Sequence, residues 1–126
     1  KKMGAKDMSW EEAGRRAFNR YFNVYRKTED HDDGQELAGD EIANAMIDAG
    51  IEIENFWYED LPVDAWLGVF KGFSDAYKNI EKEVGYEPSE LFMGPAHTWF
   101  SDAMFYSNEV HQDSRLEALI EEFNKL

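Results

Sequence analysis

The chain has no cysteine. Disulfides, thiolate zinc sites and cysteine nucleophiles are excluded together. That fits a reducing compartment, and a cytoplasmic protein is expected (the host cytoplasm, were the chain phage-encoded). No stretch approaches the roughly 18 apolar residues of a membrane-spanning helix, so no membrane partner is expected. Lys1-Lys2-Met3-Gly4 is not followed by an apolar run, so no secretory signal is read there. Glycine-rich phosphate loops are missing too, as are GxSxG and HExxH patterns.

Base is the other scarce commodity. Between Lys27 and Lys71 there is no lysine or arginine. Those 43 residues hold 13 carboxylates, from Glu29 to Asp64, against a net charge of −14 for all 126 residues. The first 27 residues are opposite in sign, with eight bases and three acids. A field divided this way selects partners by charge. Eight lysines and 19 aromatics speak against adaptation to high salt and against an acidic disordered tail.

Hydrophobic periodicity predicts four to five amphipathic helices in one domain, residues 1–126, of all-α class. Ser9-Trp10-Glu11-Glu12 reads as a capping box opening a helix to Lys27. Its stripe is Trp10, Ala13, Ala17, Tyr21 and Val24. Thr28 to Gln35 reads as a polar loop. A second helix is expected from Gly39 or Asp40 to Ala49, closed by Gly50. Ile51-Glu52-Ile53-Glu54 alternates and could form a short strand. Pro62 opens the third helix, whose apolar positions run from Trp66 to Val84, with Gly85 at its end. Gly68 and Gly72 share one side of it, where another helix can approach. A short turn is read at Glu87 to Met93, then a fourth helix from Pro95 to Asn108. Ser114-Arg115-Leu116-Glu117 reads as the capping box of the last.

Asp30 to Glu41 is 12 residues long and superficially resembles a calcium loop. Asp30, Asp32 and Glu41 take positions 1, 3 and 12, and Leu37 the apolar position 8. Gly34 stands where an oxygen ligand belongs, and Gln35 where the sharp turn needs glycine. A solvated acidic segment is the simpler reading. His31, His97 and His111 have no metal-binding spacing. Asp60 and Asp64 are four apart, but Asp64 is explained by a helix N-terminus. No catalytic residue and no cofactor is assigned, and an enzyme is not expected.

Phe56-Trp57-Tyr58 cannot all face one core, and they sit inside the acidic block. An aromatic anchor ringed by carboxylates suits a basic partner. The expected binding residues are Asp30, Asp32, Asp33, Glu36, Asp40, Glu41, Glu52, Glu54, Phe56, Trp57, Tyr58, Glu59, Asp60 and Asp64. Arg15, Arg16 and Arg20 would serve as an internal counterweight. The charge repels nucleic acid, so none is expected to bind directly.

The leading expectation is a non-enzymatic acidic binding protein. It would dock on a basic protein, such as a nucleic-acid-binding enzyme, as an inhibitor or nucleic-acid mimic. In composition alone this resembles the style of phage antirestriction, anti-CRISPR and immunity proteins. The alternative is an accessory subunit of a larger complex. A degenerate EF-hand-like calcium-binding protein comes third.

Overall fold

The computed structural model describes residues 2–51, 61–84 and 86–125. Among them are five helices: α1 (Lys2–Thr28), α2 (His31–Asp48), α3 (Val63–Val84), α4 (Tyr86–His111) and α5 (Ser114–Asn124). The all-α expectation holds, and no strand occurs among the described residues. Ile51 is irregular and half-buried, while Glu52, Ile53 and Glu54 of the suggested strand lie outside the described residues. So does Gly85.

Several boundaries need correction. α1 starts at Lys2, so Ser9 is interior and not an N-cap. The Met3 to Met8 stretch holds alanine, lysine and methionine, and good helix formers override a local capping option. The polar loop at Thr28 to Gln35 shrinks to two residues, Glu29 and Asp30. Asp30 is the N-cap of α2, and its carboxylate accepts hydrogen bonds from the Asp32 and Asp33 amides. α4 absorbs the Glu87 to Met93 turn and runs through Pro95. Gly94 precedes that proline, and its lack of a Cβ removes part of the clash that disfavours such a residue in a helix.

Ser114 is likewise inside α5. Its N-cap is Asp113, which accepts from the Arg115 amide. The α1–α2 and α4–α5 corners are thus built alike. Each has one left-handed residue, Glu29 (φ 56) or Gln112 (φ 51), followed by a capping aspartate. At the other end of α2, Gly50 has φ 83. Its amide bonds to Ile47 O at 2.9 Å and the Ile51 amide to Met46 O at 3.0 Å. This is a Schellman closure, as the glycine implied.

The apolar stripes meet in a continuous aromatic core. Phe73 stacks on Phe100 with ring centroids 3.9 Å apart, and Phe18 meets Phe73 edge-on at 5.2 Å. Trp66 is fully buried and its indole N–H donates to Ser107 Oγ at 2.9 Å. That bond spends the polar atoms of both residues inside apolar surroundings. α1 lies against both α2 and α3, while α5 closes on α3 and α4.

Glycine sets how closely α1 meets α3. A Cβ on Gly72 would sit 1.8 Å from Glu11 O, and one on Gly14 would sit 2.1 Å from Val69 O. At Gly68 it would meet Trp10 Cβ at 2.5 Å. The pairing of Gly68 and Gly72 therefore does admit a second helix, and Gly14 supplies the matching flat spot on α1.

Burial raises the phenol pKa of Tyr77 above its usual value of about 10. The folded protein thus prefers the neutral phenol. Its contribution to stability is complete below about pH 10 and is lost as pH rises through the folded value. Urea melts from about pH 8 to about pH 11 should show stability falling at the alkaline end. Tyr77→Phe should flatten that fall; an unchanged slope would remove Tyr77 from the account.

Candidate functional site

α2 carries the acidic block on a rigid frame. At about 100° per residue, Asp32, Asp33, Glu36 and Asp40 fall within about 100° of its circumference. All four are exposed. Gly34, Ala38, Gly39, Ile42 and Met46 occupy the opposite, buried side. Gly34 is needed there because a Cβ would strike the Tyr21 ring at 2.6 Å. The core-facing pattern of α2 therefore sets which way its carboxylates point. Asp32 and Asp33 also complement the positive end of the helix dipole.

None of the four has an ion-pair partner among the described residues. The row continues through Asn44 to Ile47, which is 58% exposed. From Asp32 to Ile47 the helix rises about 22 Å. Beside its far end, between α1 and α2, lies a cleft of about 350 Å³. Its lining includes Glu12, Arg16, Glu41, Asn44, Ile47 and Asp48. The result is a rail of charge ending at an apolar side chain and an open cleft.

Three other acids expected in the binding face have local duties. Asp30 caps α2. Glu41 is mostly buried and pairs with Arg20 at 3.0 Å. Asp64 pairs with Arg115 at 3.0 Å, an exposed bridge of small energetic weight. Arg115 also grips Asp113, and this hydrogen bonding holds the Asp113 carboxyl below its ordinary range. Glu52, Glu54, Phe56, Trp57, Tyr58, Glu59 and Asp60 lie outside the described residues. The expected aromatic anchor is among them.

The arginine counterweight is mostly local. Arg15 and Arg16 pair one turn back along α1, with Glu11 at 3.4 Å and Glu12 at 2.8 Å. Among the described residues, Arg20 alone of the three pairs with an acid of the block. The outer charge of α2 is thus left without an ion pair from α1 among the described residues.

The calcium-loop reading is corrected by the backbone. From His31 onward the segment is helix, so it has no loop to wrap an ion. Asp32 and Glu41 are separated by about 13 Å of helical rise, too far to share one cation. Among the described residues no group of three His, Asp or Glu side chains could hold a metal.

The histidines tie elements together, a role their spacing did not disclose. His31 Nδ1 lies 2.9 Å from the Tyr21 hydroxyl, and its ring stacks on Tyr25 at 4.3 Å. His97 Nε2 donates to Phe123 O at 2.7 Å while stacking on that ring. His111 Nε2 donates to Leu61 O at 3.0 Å. Each hydrogen-bond partner is ten or more residues away in sequence, so only the folded chain reveals it. No described helix is long and apolar enough to cross a membrane.

Comparison with known proteins finds no matching family model, no matching curated sequence and no matching solved structure.

Proposed function

We propose that this is a non-enzymatic acidic binding protein that docks the outer face of α2 on a basic surface of a partner protein. The observation carrying the reading is the row Asp32, Asp33, Glu36 and Asp40, exposed on one face without an opposing base among the described residues. α2 bears six carboxylates over 18 residues; with Glu41 paired to Arg20, the other five give one per about 5.4 Å of rise. A DNA strand carries one charge per about 3.4 Å. The rail thus approaches the linear charge of a nucleic-acid strand, and a helix presents it without ordering cost on binding. A basic nucleic-acid-binding enzyme is the partner class it fits, with occlusion of the nucleic-acid channel as the consequence. The protein then acts as an inhibitor by mimicry.

The test starts with capture from the source cell on immobilised protein at low salt. The affinity for the captured partner is then measured from about 50 to about 500 mM salt, which shortens the screening length about threefold. A loss of about 100-fold or more is expected, with DNA or RNA competing for the site. Asp33→Asn with Glu36→Gln and Asp40→Asn should weaken low-salt binding by about 10- to 100-fold. Binding that ignores both salt and these substitutions would instead favour an accessory subunit held by apolar surface.

A further inference from the structure

We infer that the outer face of α4 is a second docking surface, which takes an arginine-bearing amphipathic helix of a partner protein. This proposal stands apart from the α2 rail. Phe105, Tyr106 and Val110 are 49%, 58% and 62% exposed, among the most exposed large apolar side chains described. The Phe105 and Tyr106 rings meet edge-on at 5.7 Å, forming one aromatic step. The core side of the helix is taken by Ala96, Phe100, Ala103, Met104 and Ser107. Trp66 anchors it there through Ser107. The exposed step therefore cannot turn inward without unmaking the core.

Charge identifies the occupant. α4 contains no lysine or arginine, and none occurs anywhere between Lys82 and Arg115. Asp102 and Glu109 are exposed. By helical angle they lie between Phe105 on one flank and Tyr106 and Val110 on the other. Apolar and anionic groups are thus interleaved within one patch about 12 Å long. A purely apolar partner would strand both carboxylates on docking. A second copy of this chain would bring acid against acid if α4 met α4. An arginine satisfies both features, because its guanidinium pairs with a carboxylate and stacks on an aromatic face. Leucine-type side chains on the same segment would cover Val110 and the ring edges. Helix against helix then matches the straight patch.

The experiment uses two fluorescent peptides of about 18 residues, long enough for a face of about 27 Å. One alternates Leu and Arg at helical spacing, and the other replaces each Leu by Gln at equal charge. Charge alone would bind both equally, on α2 or elsewhere. The Leu/Arg peptide should bind at least about tenfold more tightly. Its amide shift changes should centre on residues 102–110. The variant carrying Phe105→Ser, Tyr106→Ser and Val110→Ser should melt as the parent does and bind both peptides alike. Equal binding of the two peptides by the parent protein overturns the proposal, as do shifts centred on α2. Self-association that the triple substitution abolishes would overturn it too, by assigning the patch to a second copy.

Discussion

Phe123→Ala should lower stability by about 4 kcal/mol, among the larger effects of any single truncation. Phe123 is fully buried near the end of α5. Its ring lies 5.3 Å from Phe100, 5.4 Å from Tyr77 and 6.1 Å from both Phe70 and Phe73. His97 stacks on it at 4.4 Å. Removing the ring loses its own transfer energy and opens a cavity that five aromatic neighbours cannot collapse to fill. For a chain of this size the midpoint of thermal unfolding should fall on the order of 15 °C. Phe123→Leu keeps most of the volume and should cost less than about 1.5 kcal/mol. Calorimetry on the two variants separates volume from aromatic geometry. A Phe123→Ala loss under about 1.5 kcal/mol would mean that α5 contributes little to the core.

The second large effect is expected from adding atoms. Gly72→Ala should destabilise by about 3 kcal/mol, although alanine is the better helix former by about 1 kcal/mol. The new methyl would fall 1.8 Å from Glu11 O and 2.8 Å from Arg15 N. These are backbone atoms and cannot swing aside. The two helices must separate, which loosens Trp10 against Gly68 and Gly14 against Val69. Gly14→Ala acts on the same interface, so the double variant should cost less than the two single losses combined. The matched comparison is Gly50→Ala. No atom lies within 4 Å of its added Cβ, yet its φ is 83. There the loss should be only about 1 kcal/mol and should come from the backbone angle alone. Urea titration of the three variants gives this ordering directly; equal losses at Gly72 and Gly50 would show that α1 and α3 are not in close backbone contact.

The helical class, the core stripes and two glycines of the α1–α3 interface, Gly68 and Gly72, were legible in the residues, whereas Gly14 shows its part only in the fold. The legible features each rest on spacing along one helix, which the chain carries locally. Trp66, Val69, Phe70, Phe73, Tyr77 and Ile80 are buried as their period requires. Helix starts were less legible. Asp30 and Asp113 cap α2 and α5 from two-residue corners. A serine one residue from the true cap, or inside a helix, offers the same local signature. Pro95 signals a start in isolation, yet core packing carries α4 through it.

The base-free stretch of 43 residues was visible from composition alone, as were the net charge of −14 and the lack of cysteine. They determine that any partner meets a strongly anionic protein. Only tertiary structure decided which acids are available to it. Glu41 is spent on Arg20, Asp64 on Arg115 and Asp30 on its own helix, while Asp32, Asp33, Glu36 and Asp40 face outward together. The reason is physical. Charge is a sum over residues and survives any fold. The direction a carboxylate takes depends on which side of its helix the core claims, and that side is chosen by Tyr21 against Gly34 and by Ile42 and Met46 in the core.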